Sequence, residues 1–190
     1  MKAEDELRLI LRCRSGDRLA YGKLVETYKR QAYYVAYGLV GNKEDALDMV
    51  QEAFIKAYRN LKRFDPKYRF STWYFRILTN TCISHLRKRR EYPSGSGEEV
   101  YQAQSMAGAA TRGNPHAALE RKEAARWIRK ALGKLKDHLR EVVVLKDVQG
   151  FTYAEIAQIT GVPIGTVMSR LHSARSQLRE LLLPVKACLR

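Results

Sequence analysis

The segment from Phe151 to Leu181 constrains the fold more than any other part of the chain. Thr152-Tyr153-Ala154-Glu155 is a capping box, in which the Thr hydroxyl accepts from the third helical amide while the Glu side chain reaches back to the cap amide. The short helix it opens ends at Gly161, and Pro163 suits the first turn of a second helix, where an N–H would have no partner. That second helix carries Ile164, Val167, Leu171, Ala174, Leu178 and Leu181 at steps of three and four, an uninterrupted apolar stripe. Ala157 is small where two crossed helices must approach, and Ile156, Val162 and Val167 supply apolar groups for burial between them. The pattern predicts a helix-turn-helix. Arg170 lies where this motif often buries a side chain, with Leu171 beside it to take that role. The outward face shows Thr166, Met168, Ser169, Arg170, His172, Ser173, Arg175 and Ser176, short polar or cationic groups suited to phosphates and major-groove base edges. A helical hairpin with a merely solvated basic face would show the same periodicity.

Charge favours the first alternative. Lys and Arg total 35 against 20 Asp and Glu, a net +15 over 190 residues, which implies a polyanionic partner or an anionic surface, with nucleic acid the first candidate. The first 90 residues carry 20 basic and 10 acidic side chains, residues 91–118 one and three, and the remainder 14 and seven, so the excess sits at the two ends of the chain. No apolar run approaches the roughly 18 residues of a membrane span, and the start, Met1-Lys2-Ala3-Glu4-Asp5-Glu6, is acidic. A cytoplasmic protein without membrane insertion is expected. Cys13, Cys82 and Cys188 are far apart, without Cys-x-x-Cys spacing or a nearby His, and read as reduced thiols packed as small apolar groups. There is no Gly-rich phosphate loop, His-x-x-x-His pair or nucleophile, base and orienter set. A non-enzymatic protein without metal or nucleotide cofactor, and without a small-molecule substrate, is therefore expected.

From Glu4 to Arg90 the apolar spacing is helical almost throughout. A short helix over about Asp5 to Cys13 stops at Ser15-Gly16, and Asp17 caps a second reaching Val40, with Tyr21, Leu24, Tyr28, Ala32, Val35 and Leu39 as its buried stripe. Gly41-Asn42 ends it, and Asn42 with Asp45 starts a third, whose stripe is Leu47, Val50, Phe54, Ala57 and Leu61. Asp65-Pro66 interrupts the helical pattern, and Ser71 is a candidate cap for a fourth helix to about Arg90. Glu91 to Ala118 is rich in Pro, Gly, Ser and Ala without an apolar face, and reads as a flexible linker made acidic by Glu91, Glu98 and Glu99. The second unit then runs through Ala124, Ile128, Leu132 and Leu135, and through a helix from about Asp137 to Val148 marked by Leu139, Val142, Leu145 and Val148. The expected fold is all-α: two small helical domains, 1–90 and 119–190, joined by the linker 91–118.

Two blocks resemble a known family. FTYAEIA (Phe151 to Ala157), Gly161-Val162-Pro163 and IGTVMSRLHSARSQL (Ile164 to Leu178) resemble region four of extracytoplasmic-function RNA polymerase sigma factors. Independently, DALDMVQEAFIKAYRNL (Asp45 to Leu61) and YRFSTWYFRILTNT (Tyr68 to Thr81) resemble their region two, and the order of the blocks agrees. The resemblance implies core RNA polymerase and promoter DNA as partners and leaves room for an anti-sigma factor. It implies docking on the polymerase through Asp48, Gln51 and Glu52, an acidic and amide patch on a basic protein that suits a cationic partner. It implies minus-ten recognition and melting by the stretch containing Lys62, Arg63, Lys67, Tyr68, Arg69, Phe70, Trp73, Arg76 and Asn80. There, cations can follow a backbone while exposed rings stack on unpaired bases. It implies minus-thirty-five recognition by Thr166, Met168, Ser169, Arg170, His172, Ser173 and Arg175. Ser173 stands where many relatives carry a basic residue, Met168 where some carry Arg, and Asp137 where a Pro is common, so promoter preference does not carry over.

Two rival readings are a one-component regulator with an N-terminal ligand sensor and a basic RNA-binding or scaffold protein. The first would need an apolar pocket module in the N-terminal half, and the second has no use for a capped helix-turn-helix.

Overall fold

The structure, a computed structural model, describes residues 3–91 and 115–188, with side chains described for 4–91 and 123–183. Most of the expected linker lies outside the described residues, as does the Cys188 side chain.

Four helices form the first half: α1 (Ala3–Arg14), α2 (Arg18–Val40), α3 (Lys43–Asn60) and α4 (Phe70–Glu91), with a 3-10 turn at Leu61–Arg63. Their ends follow from short polar signals. Asp17 accepts from the Ala20 amide at 3.0 Å, and Gly41, at φ 89°, turns the chain left-handed while its N–H donates to the Tyr37 carbonyl. Asn42 then accepts from the Asp45 amide at 2.8 Å, and its side-chain Nδ2 donates to the Asp45 carboxylate at 2.6 Å, so the expected pair meets through the Asn42 side chain and not through its backbone N–H. Ser71 is not the cap of α4. The helix starts two residues earlier than that cap would place it, at Phe70, with the Arg69 carbonyl accepting from Trp73 and Phe70 buried in the core.

The second half comprises α5 (Pro115–Lys134), α6 (Asp137–Val143), α7 (Tyr153–Thr160) and α8 (Ile164–Cys188). Helix α5 takes in 115–118, four residues expected in the linker. The valine run is helical, as its periodicity predicts, but from Val144 to Val148 the helix widens into a π turn, with the Gln149 amide donating to Val144. The added residue rotates Val148 off the stripe, and it is 49% exposed instead of buried. Lys136 precedes α6 without a side-chain cap. The Thr152–Glu155 capping box is present in both directions, and Gly161, at φ 72°, makes the turn into α8. Val167, Leu171 and Ala174 are buried as predicted, while Ile164 stands half-exposed.

Leu47 and Ile128, assigned to buried stripes by their spacing, are each 49% exposed. Helix packing has left both on outer faces. Cys13 and Cys82 are buried free thiols, and burial pushes both above the ordinary thiol range. No helix among the described residues is long and apolar enough to cross a membrane.

Buried apolar residues of the two helical halves also pack against one another across the seam between them. Helix α7 lies on α4, and the π turn lies on α2. The Phe75 and Phe151 rings meet edge to face at 5.0 Å, and Arg140, buried in the second half, donates to the Leu39 carbonyl of α2 at 2.6 Å.

Candidate nucleic-acid interface and docking face

The loop between α3 and α4 is a built structure. Its apolar side chains, Leu61, Phe64 and Phe70, are buried, and its polar ones, including Lys62, Arg63, Lys67 and Arg69, point outward. Arg14 of α1 donates to the Leu61 carbonyl at 3.2 Å, which also accepts from the Phe64 amide within the turn, and to the carbonyl of Phe64. Asp65 closes the turn by accepting from the Lys67 amide at 3.0 Å, and its carbonyl takes the Tyr68 amide at 3.1 Å.

This architecture sorts the aromatic residues. Phe70 is fully buried among Tyr28, Phe64, Trp73 and Tyr74, so it is a floor of the site and offers no face to a base, contrary to the expectation. Phe64 and Tyr74 are buried with it, Tyr74 stacked at 4.4 Å on Phe54. Tyr68 is 59% exposed, flanked in sequence by Lys67 and Arg69. Trp73 is half-buried, resting on Phe64 at 5.1 Å with part of its ring open. Arg76 and Asn80 continue the exposed face along α4. Arg69, expected to be a free cation, is paired with Glu155 at 2.9 Å.

On α3, Asp48, Gln51 and Glu52 are exposed together. Glu52 is bridged to Lys56 at 2.6 Å, while Asp45 is turned away to His85 at 3.1 Å and Arg89 at 3.2 Å, tying α3 to α4. Burial works against the Asp45 charge, but the Asn42, His85 and Arg89 contacts outweigh it and hold the carboxyl below its ordinary range. Beside the patch runs an apolar groove of roughly 680 Å³ between α2 and α3, with Leu47, Ile55 and Tyr58 on its walls and Arg18, Lys29 and Arg59 at its rim. The groove has no counterpart in the helical stripes of the sequence. Exposed Ile55 and Tyr58 lie off the predicted stripe and were its only signal.

On α8, Met168, Ser169, His172, Ser173 and Arg175 are exposed, and Thr166 is half-buried. Leu171 is the buried residue and Arg170 is turned partly inward toward Glu141, as their order in the motif suggested. Arg175 is not free. Its Nε and Nη2 donate to both oxygens of Asp147, at 3.0 and 2.5 Å. Beside it Lys146 sits 4.7 Å over the Tyr153 ring, and Tyr153, His172, Arg175 and Arg179 line a polar depression of roughly 380 Å³. Lys146, Asp147, Tyr153 and Arg179 were not predicted members of this surface. Lys146 and Asp147 reach it from a different helix, through a π turn that periodicity did not show.

Among the described residues no cluster of His, Cys, Asp and Glu is arranged to hold a metal ion. The surfaces are thus a ring among cations on a rigid loop, an acidic and apolar helix face, and a capped helix with a polar outer side.

Residues 24–92 match the family described as Sigma-70 region 2, and residues 125–178 the family described as Sigma-70, region 4. The ECF RNA polymerase sigma factor SigW of Bacillus subtilis is 36% identical over 180 residues, spanning 91% of this chain and 94% of the relative. The ECF RNA polymerase sigma-E factor of Escherichia coli is 32% identical over 180 residues, spanning 93% and 94%. The solved structure of CnrH in complex with the cytosolic domain of CnrY superposes with a TM-score of 0.67 at 29% identity, covering 94% of this chain and 97% of that one. The sigma factor RpoE in complex with the anti-sigma factor NepR, from Bartonella quintana, gives 0.68 at 28% identity, covering 85% and 96%.

Proposed function

We propose that this chain, which belongs to the family of ECF RNA polymerase sigma factors, carries core RNA polymerase to promoters through three separate surfaces. Sigma factors are non-catalytic initiation factors, so what is required of the chain is binding and the exchange of one set of contacts for another. The outer face of α3, with Asp48, Gln51 and Glu52 beside the apolar groove, docks on the polymerase: acidic groups select a cationic partner and the groove supplies apolar area. Helix α8 enters the major groove of the minus-thirty-five element, with Ser169 and His172 facing base edges and the cations around Arg175 facing phosphate.

The loop from Lys62 to Arg69 opens the minus-ten element. Its cations hold one strand while Tyr68, with the open part of Trp73, stacks on bases that have left the duplex. The observation that carries this reading is the pairing of an exposed ring among cations on an anchored loop with a capped helix-turn-helix in one chain. A duplex-binding regulator needs only the second. A task on the polymerase supports a cytoplasmic protein. The relative solved with the anti-sigma factor NepR supports an anti-sigma protein as a further partner.

The test is co-purification with core polymerase, followed by run-off transcription and permanganate footprinting on a linear promoter. Core-dependent transcripts with reactive bases in the minus-ten element are the expected result. Tight duplex binding without core, and no transcript, would instead make the protein a one-component regulator.

A further inference from the structure

Helix α8 begins with an apolar ridge on its surface. Ile164 and Met168 are 44% and 51% exposed, and their i, i+4 spacing sets them side by side on the first two turns of the helix. Single exposed apolar side chains are ordinary on a protein surface. These two are neighbours, and Met168 also lines the polar depression with His172, Arg175 and Arg179. Gly165, between them, has open space where a Cβ would stand, so no other element among the described residues covers the helix there.

The side chains that read guanine and adenine are scarce in this stretch. In the major groove guanine is read by Arg or Lys reaching O6 and N7, and adenine by Asn or Gln reaching N6 and N7. From Ile164 to Ala174 the sequence holds one such residue, Arg170, and it is half-buried and turned inward toward Glu141. The next cation along the helix, Arg175, is held by both oxygens of Asp147. It and Arg179 stand two or more turns beyond the ridge, on the part of a reading helix that meets phosphates once its first turns are in the groove. What the N-terminal end offers is the two apolar side chains, His172, and the short hydroxyls of Thr166, Ser169 and Ser173.

Thymine is the base whose major-groove edge carries an apolar group, the C5 methyl. We propose that Ile164 and Met168 read thymine methyls in the minus-thirty-five element, so that the promoters this chain selects carry thymine against the first two turns of α8. This rests on the sigma-factor reading above and names what that face distinguishes. The two residues are separated by about 6 Å along the helix axis, at 1.5 Å per residue. Bases stack about 3.4 Å apart, so the ridge reaches methyls at neighbouring or next-nearest steps. Met168 is unbranched and adapts its thioether to the methyl it meets, whereas Ile164 is β-branched and stiff, which makes it the fixed half of the ridge. Contact with a methyl removes apolar surface of both partners from water.

The experiment uses the full chain bound to core polymerase. Duplex promoters randomised across the minus-thirty-five element are selected by binding and sequenced. Synthetic duplexes of the selected sequence then carry deoxyuridine in place of one thymine at a time, which deletes the methyl and leaves the hydrogen-bonding edge unchanged. The native chain should select thymine at one or two positions, and deoxyuridine there should weaken binding about three- to fivefold, the scale of one buried methyl. Met168→Ala should bind the thymine and deoxyuridine duplexes equally at one of these positions, and Ile164→Ala at the other. Met168→Leu, which keeps an apolar side chain, should retain the preference and shows that the loss in Met168→Ala is not a loss of fold.

A selected element without thymine overturns the proposal, as does a native chain indifferent to the methyl. Alanine variants that keep the full methyl preference at every position overturn it too, since the methyls would then be read elsewhere. Run-off transcription from the selected promoter separates the two levels. A chain with no core-dependent transcript fails the sigma-factor reading and this inference with it, whereas one that transcribes from the selected promoter yet ignores the methyls fails this inference alone.

Discussion

Asp147 holds Arg175 through two parallel hydrogen bonds, at 3.0 and 2.5 Å, so the cation best placed beside the outward face of α8 is already partnered in the free protein. The arrangement leaves Nη1 unused by Asp147 and fixes the guanidinium plane, while lowering the net charge presented to DNA. Two substitutions separate these effects. Asp147→Asn should tighten duplex binding on matched and scrambled sequences alike, because a compensating anion is lost. Arg175→Ala should weaken binding on both and reduce the salt slope by at most about one unit. Ser169→Ala and His172→Ala should change preference between sequences. Equal losses on matched and scrambled elements for these two would sink base reading by this face. The measurement is fluorescence anisotropy over a salt series.

Tyr68 and Phe70, two residues apart, are expected to fail in different ways. Tyr68→Ala should leave the melting temperature near native and remove about 1 to 3 kcal/mol of stacking if its ring meets one base. Permanganate reactivity of the opened element should then fall, with partial recovery on a template carrying a pre-opened bubble. Phe70→Ala empties a fully buried site and should cost about 3 to 5 kcal/mol of folding stability. Thermal unfolding followed beside run-off transcription distinguishes the two.

Charge reversal at Asp48 together with Glu52 should weaken association with core polymerase several-fold while leaving helical content intact. Part of the Glu52 charge is already spent on Lys56 at 2.6 Å, so Asp48→Lys alone should account for the larger share. Binding of labelled core by each single and the double variant is the measurement, and unchanged affinity in the double variant would remove α3 as the docking face.

Two carboxylates give the pH dependence of stability opposite slopes. Burial pushes the Glu141 pKa above the ordinary carboxylate value, against the lowering effects of the Thr79 hydroxyl and the Arg170 charge, with Asp137 adding to the rise. Its native form binds a proton more tightly than the unfolded chain does, so its contribution is complete below the ordinary value. It is lost as pH rises from there through the raised pKa. Asp45 is the reverse: its lowered pKa gives stability present above the ordinary value and lost as pH falls through the depressed one. Glu141→Gln should flatten the loss on the alkaline side of the carboxylate range, and Asp45→Asn the loss on the acidic side. Urea unfolding between about pH 3 and 7 reads both, and a Glu141→Gln chain with the native pH profile would remove that group from the account.

What the sequence determined by itself was local. Asp17, Asn42 and Asp45, Thr152 and Glu155, and Gly161 each place a helix end through groups no more than a few residues apart, and these ends are where the chain put them. The all-helical class, the helix-turn-helix and the burial of Leu171 in preference to Arg170 follow from the same short-range periodicity. Tertiary structure decided everything that depends on which of two similar groups finds a distant partner. In the α3–α4 loop, Tyr68 and Phe70 have the same alternation and similar rings, but only the site of Phe70 is enclosed by residues from α2 and α4 and the 3-10 turn region. Arg69 and Arg175 look like free cations in one dimension, yet Glu155 and Asp147 reach them from elements 86 and 28 residues away. The seam between the halves rests on contacts such as Arg140 to Leu39, 101 residues apart. Burial is cooperative over the whole surface that closes, so no window of sequence contains both the group and the neighbours that decide its environment.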